Sequence, residues 1–409
     1  MKDKIRKLQK EREKVERKLW KAAWKGDVRK AEKILEEYLR KNPDDKEALL
    51  ALTRILAETK PEKAMRILDK ALEKWPNDPE IIRQKVILLL NQGKIEEAEK
   101  IIAGIKSENP EIIEAKALIT AEKDPRKAIE IIDKALAKKE DSALRLTKAR
   151  ILAEELKKYE EAEEEIKKAM KMGIKKGEKS TALTLLAYVK WKQGKFEEAE
   201  KYARKAIEIN PLENDAWRIL AEALLELERH EEADACIDRA LAIAPNSFYA
   251  NKTKLICILE IARKKYSEKD VIEAANKLLK LAKTRDQLNT ALWWASAAFD
   301  AIGELDKAEE LAREYVRLFP NDVEAWIHLA SILLSKKDVN GALSCLEKAK
   351  MLGGENSYNY WCIMAEVMEA LGQINEAIKC VKKELELLPP SKRLARIYAE
   401  KKLRKLMSK

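Results

Sequence analysis

Small apolar residues mark this chain at a fixed interval. Aligned on segments such as EEAEKYARKAIEINP, an alanine recurs at Ala31, Ala64, Ala98, Ala128, Ala162, Ala199, Ala233, Ala274, Ala308, Ala342 and Ala377. Most of the gaps are 33 to 35 residues, and the extremes are 30 and 41. A single helix repeats its apolar face every 3.6 residues, so this longer period belongs to a larger unit, two helices joined by a turn.

Other positions keep step with the alanines. Trp217 and Trp326 open the first helix of their units, followed by Leu220-Ala221 and Leu329-Ala330. Gly93, Gly194, Gly303 and Gly372 fall between the paired helices, and Pro43, Pro76, Pro110, Pro211, Pro245, Pro320 and Pro389 close the second helices. Each has a physical cause. A side chain larger than alanine at a helix crossing would overpack it by about 1–3 kcal/mol. Glycine enters the left-handed conformation that ends a helix. Proline lacks the N–H needed to continue one.

In these residues the chain resembles the tetratricopeptide repeat family, from about residue 12 to residue 390. The resemblance implies an all-α fold, a right-handed superhelical solenoid of about eleven helix–turn–helix repeats with a C-terminal capping helix. Irregular spacing suggests blocks. A basic N-terminal helix over residues 1–25 runs into repeat one, repeats one to five occupy 12–170, repeats six and seven 180–247, repeats eight to eleven 248–390, and a basic capping helix 391–409. KMGIKKGEKS, before repeat six, reads as a basic loop, and KKYSEKD as a second interruption before Ala274, with bends expected near 171–180 and 263–270.

Composition narrows the chemistry. Lys, Glu, Ala, Leu and Ile dominate 409 residues that hold only 11 Gly and 11 Pro, which favours helix. Five cysteines without a close CxxC pair fit neither a disulfide framework nor a zinc site; Cys236, Cys345 and Cys380 stand where other repeats have Ile34, Ile67, Ile101 and Ile131. His230 and His328, the only histidines, are nearly three repeats apart and read as structural or surface residues. There is no phosphate-loop motif, and the expectation is a non-enzymatic protein without a cofactor or catalytic or metal site. No apolar run is long enough to span a membrane, so the sequence is read as soluble and cytoplasmic.

In the resembling family the first helices line a concave surface that takes a peptide or a partner helix. The matching positions here are Trp20 and Trp24 in repeat one, Tyr188 and Trp191 in repeat six, Arg218 and Glu222 in repeat seven, Trp293 and Asp300 in repeat nine, and Ser331 in repeat ten. The family's Lys, Asn and Arg arrangement that clamps chaperone C-termini is not found. The net charge of +11 is concentrated at the ends: residues 1–25 and 389–409 each carry +7, leaving about −3 between them. Lys4, Arg6, Lys7, Lys10, Lys392, Arg393, Arg396, Lys401, Lys402, Arg404 and Lys405 are therefore candidates for phosphate contact. In the C-terminal segment, Ala395, Tyr398, Ala399, Leu403 and Leu406 share one apolar face and leave Lys and Arg on the rest. Two functions follow. One is a scaffold holding a partner protein in its concave surface. The alternative is a ribosome- or RNA-associated factor gripping phosphate with its ends while the repeats engage protein or a second copy, as a homodimer.

Overall fold

The computed structural model describes the backbone of residues 2–174, 176–389 and 392–408, and the side chains of these except 2–10, 176, 262–264 and 393–394. Among the described residues there is no strand; twenty-three α-helices and one short 3-10 turn account for the regular structure. Eleven helix pairs follow one another. They are α1 (Lys2–Trp24) with α2 (Val28–Lys41), α3 (Lys46–Thr59) with α4 (Pro61–Lys74), α5 (Pro79–Asn91) with α6 (Ile95–Ile102), α7 (Pro110–Ala121) with α8 (Pro125–Leu136), and α9 (Ser142–Glu154) with α10 (Tyr159–Lys171). Next come α11 (Lys176–Lys192) with α12 (Phe196–Ile209), α13 (Asn214–Glu226) with α14 (His230–Ile243), and α15 (Phe248–Lys265) with α16 (Glu268–Leu281). The last pairs are α17 (Arg285–Ala301) with α18 (Leu305–Leu318), α19 (Val323–Ser335) with α20 (Val339–Met351), and α21 (Tyr358–Ala370) with α22 (Ile374–Leu387), before a single α23 (Arg393–Met407).

Local chemistry starts and stops these helices as the sequence implies. Asp45, Asp78, Asn109, Asp141 and Asp322 cap first helices by accepting from backbone N–H groups of the first turn. Asp27, Asp124, Ser267 and Asp338 cap the second helices α2, α8, α16 and α20, whereas α6, α10, α12 and α14 lack a side-chain cap but carry paired acids in their first turn, as at Glu197 and Glu198, where the helix dipole favours negative charge. The turn glycines adopt positive φ, 73° at Gly93 and 83° at Gly303, and Lys157, Glu228 and Lys337 take the same left-handed conformation in the turns that lack glycine.

Ten of the eleven marker alanines are fully buried, each the fourth residue of its second helix, and each seats the helix against its neighbour. Repeat eight is the exception. The fourth residue of α16 is Val271, 1 % exposed, whereas Ala274 is only partly buried. The neighbouring Ala275 is buried where other repeats place Leu35, Leu68 or Ile132, so a larger residue at the crossing is matched by a smaller one a turn later. Two further expectations change. KMGIKKGEKS is helical from Lys176 onward, and Pro110 opens α7, because α6 already stops at Ile102.

Contacts divide the chain into two compact units, Met1–Thr253 and Lys254–Lys409. In the first, successive first helices pack side by side, as α5 does on α7 and α11 on α13. This unit also winds back on itself. Helix α14 reaches α3, and the Arg239 guanidinium donates a 2.6 Å hydrogen bond to the carbonyl of Lys25, 214 residues earlier. Gly26, at φ +69°, lies in this seam, where an added Cβ would stand 3.0 Å from the Arg239 Nη1. In the second unit α23 covers α22 with Ala399 and Leu406 buried, but Tyr398, assigned to that face from spacing, is 71 % exposed.

Candidate functional site

Within the first unit, Trp20, Arg54, Ile87, Arg150, Tyr188 and Glu222 hold one register on six of its first helices, α1, α3, α5, α9, α11 and α13. Each lies two residues before a packed position: Ala22, Leu56, Leu89, Leu152, Lys190 and Leu224. Trp20 and Trp24 stack with ring centroids 5.4 Å apart and planes 12° from parallel, and each is nearly half exposed. Tyr188 and Trp191 lie 6.3 Å apart, with the Lys192 ammonium 4.5 Å from the Trp191 ring and 5.5 Å from that of Tyr188. Burial, reinforced by the charge of Glu154, raises the Tyr188 hydroxyl, and burial lowers the Lys192 ammonium.

Arg218 and Glu222 are a buried pair in a larger network. Arg218 reaches Glu222 at 3.0 Å and Asp215 at 3.1 Å, while Glu222 also accepts from Lys252 at 3.2 Å and from the Thr253 hydroxyl at 2.8 Å. Burial alone would raise the Glu222 carboxyl, but Lys252, Arg218 and Thr253 together hold it at about 2. Arg218 is raised against its own desolvation by Glu222 and Asp215. This pair is therefore charged and already satisfied at neutral pH.

The winding of the unit brings together residues that sequence reasoning does not single out. Glu213, just before α13, feels the charges of Arg150 in repeat five and Arg54 in repeat two. Burial and the neighbouring Asp215 push its carboxyl up to about 7, against the pull of Arg150, Asn210 and Arg54. The Arg54 side chain is 62 % accessible, yet burial and the charge of Arg83 lower it. The guanidinium is reachable by water, while the protein atoms around it and the Arg83 charge disfavour its charged form. Burial likewise raises Glu154. The signal available in sequence is the shared register with Tyr188 and Glu222; the closure across five repeats is not visible there.

Other predicted positions stay with their own units. In the second unit Trp293 packs 4.6 Å from Trp294 and 5.1 Å from His328, Asp300 is raised by burial beside Ser335, and Ser331 is half-buried. His328 is buried with Nε2 unpartnered, and desolvation lowers it to about 4. Among the basic ends, Arg396 donates to the carbonyls of Leu388 and Leu385 and Lys402 pairs with Glu366 at 3.2 Å, so both hold the capping helix in place. Lys392, Lys401, Arg404 and Lys405 are exposed, while the side chains of Lys4, Arg6, Lys7, Lys10 and Arg393 lie outside the described residues.

A stack of helical hairpins whose first helices pack side by side is a helical-repeat scaffold fold. Sequence models of the tetratricopeptide repeat match residues 25–79, 56–121, 140–211, 184–248, 288–332 and 323–352. The chain belongs to the tetratricopeptide repeat family. Protein NPGR2 of Arabidopsis thaliana is 23 % identical over 206 residues, 50 % of this chain, and the chain spans only 25 % of that protein's length. Among solved structures, the Cut9–Hcn1 hetero-tetramer of APC/C matches 93 % of this chain and 73 % of its own at 14 % identity with a TM-score of 0.65. A tetratricopeptide repeat protein from Parabacteroides merdae matches 66 % and 99 % at 18 % identity with a TM-score of 0.51. These likenesses concern the fold. Among the described residues no helix is long and apolar enough to cross a membrane, and no cluster of three or more metal-ligating side chains occurs.

Proposed function

We propose that the protein is a scaffold whose first unit holds an extended segment of a partner protein within its coil. The observation that carries this reading is the convergence of Arg54, Arg150, Glu154, Tyr188 and Glu213, from three repeats and one inter-repeat turn, as electrostatic neighbours within the winding that Arg239 and Lys25 close. Aromatics such as Tyr188 and Trp20 supply large contact area at low entropic cost. The partially exposed Ile87, on the same register, supplies an apolar step between them. Repeat proteins of this family are in general non-catalytic scaffolds for protein–protein interaction.

A photo-crosslinking residue at Ile87 and, separately, at the exposed Lys70 of the outer helix α4 tests this in native extract. The expected result is protein adducts from position 87 and few from position 70, unchanged by nuclease. Equal yields from both positions would remove the interior as the binding surface. Nuclease-sensitive adducts would favour instead the second reading, phosphate contact through Lys392, Lys401, Arg404 and Lys405, the exposed C-terminal cations.

A further inference from the structure

We infer that the interior of the first unit takes an acidic peptide segment whose carboxylates sit between Arg54 and Arg150, with Glu213 as a built-in competitor that opposes them. The inference rests on the scaffold reading above and names the chemistry of the occupant.

The argument starts from which interior charges are already satisfied. Arg218 is held by Asp215 and Glu222, Lys252 by Glu222, and Arg83 by Glu114 at 3.2 Å. Arg54 has only Glu80 at 4.0 Å, the outer limit of an ion pair, and no ion pair or hydrogen bond engages Arg150 among the described residues. Their guanidinium groups come from repeats two and five, yet both act on Glu213, which no ion pair joins to either. Only the winding of the unit, sealed where Arg239 meets Lys25, makes these three groups neighbours.

Charge complementarity then selects the occupant. A guanidinium keeps its proton at any physiological pH, and two such groups acting on the same carboxyl, Glu213, present planar donor forks suited to carboxylates. The interior carboxylates without an ion pair behave differently. Glu213 is half neutral near pH 7, and Glu154 is also raised by burial. On the acid side of neutrality the arginines stay positive while their opponents lose charge, so the interior becomes net attractive to a carboxylate. On the alkaline side Glu213 ionises and competes for the same guanidinium groups. The groups facing Glu213 are Asp215 on its own turn and helix, which raises it, with Asn210 before it, Arg150 of α9 and Arg54 of α3, which lower it.

The sign is fixed by the direction of that shift. A carboxyl titrating at about 7 is about nine-tenths neutral at pH 6 and about one-tenth neutral at pH 8, so if only the neutral form accepts the guest, affinity falls about tenfold across that range. The probe is a fluorescein-labelled peptide of about ten residues, glutamates spaced by leucine and glycine, titrated into the full chain by anisotropy at both pH values. Peptides with lysine for glutamate, peptides with glutamine for glutamate and an oligouridylate serve as comparisons. The inference expects tight binding of the acidic peptide near pH 6, about tenfold weakening near pH 8, loss in both Arg54→Gln and Arg150→Gln at both pH values, and a flat pH profile in Glu213→Gln. Circular dichroism and gel filtration establish that each variant is folded; Arg54→Lys and Arg150→Lys, which keep the charge, should restore part of the binding. Failure of the acidic peptide to bind folded wild-type protein near pH 6, or binding indifferent to both arginines, overturns the inference. If the glutamine or lysine peptide binds instead and is lost in Tyr188→Ala, the interior remains a binding surface and only its acidic preference falls. Arginine-dependent retention of oligouridylate without the peptide overturns the carboxylate assignment.

Discussion

At the scale of single residues, the buried polar groups separate into those with partners and those held neutral by their surroundings. Glu222 and Glu163 are of the first kind: against the burial that would raise them, neighbouring cations hold both at about 2. His328 is of the second kind, enclosed by Trp293 and Tyr315 and lowered by desolvation to about 4. Its pH dependence follows from that direction. The unfolded imidazole takes its proton near 6.5, the folded one only near 4, so the folded state is fully favoured above pH 6.5 and loses ground as pH falls toward 4. The difference amounts to about 3 kcal/mol at the acid end. Replacing His328 by Leu should remove this acid sensitivity. Urea denaturation of wild type and His328→Leu, followed through the tryptophans, should show the gap between them changing by roughly 2–3 kcal/mol between pH 6.5 and pH 4.5, with the variant gaining at low pH. A constant gap would mean that the imidazole is solvated in the folded state.

At the scale of helices, the small residue at each crossing decides how closely a hairpin seats on the next. Val271 and Ala275 in α16 exchange the usual sizes, so the two positions should behave as one volume. Val271→Ala alone should cost about 2 kcal/mol through the cavity it leaves, and Ala199→Val, at an ordinary crossing, about 1–3 kcal/mol through overpacking. Adding Ala275→Val to Val271→Ala should recover more than half of the first loss, measured as non-additivity of unfolding free energies. Simple additivity would show that the two sites do not share a space. The same helices show what can be read in advance. The alanines, turn glycines and most of the prolines are legible because each answers a local demand of its own hairpin. The register of repeat eight is not, since a search for alanine finds Ala274 and passes over Val271, which fills the same role with a different residue. Trp217 and Trp326 are legible as helix openers, and their indole N–H groups donate to the carbonyls of Pro211 and Pro320. Trp361 and Asn251 tie their helices to the preceding turn in the same way, to Glu355 and Pro245, but the latter uses a different side chain and leaves no visible repeat. The meeting of Arg54, Arg150 and Glu213 escapes sequence altogether, because it depends on small rotations accumulated over five hairpins.

At the scale of the first unit, the seam between Gly26 and Arg239 is the contact that joins distant repeats. Gly26→Ala would force a side chain into the left-handed region, at about 1–2 kcal/mol, and press it toward the Arg239 guanidinium. Arg239→Ala removes the hydrogen bond to Lys25 without that backbone strain. Hydrogen exchange followed by mass spectrometry should show faster exchange in residues 22–31 and along α14 for both variants, with α7 and α8 unaffected. An array of stacked repeats ordinarily melts from its ends, since an end unit has one neighbour and an inner unit two. The bond from Arg239 to Lys25 gives repeat one a second neighbour from the far side of the coil. Fraying of that end then requires breaking a long-range contact as well as a local one, so the first unit should lose its structure as one cooperative block. Once the seam is cut, it should peel hairpin by hairpin.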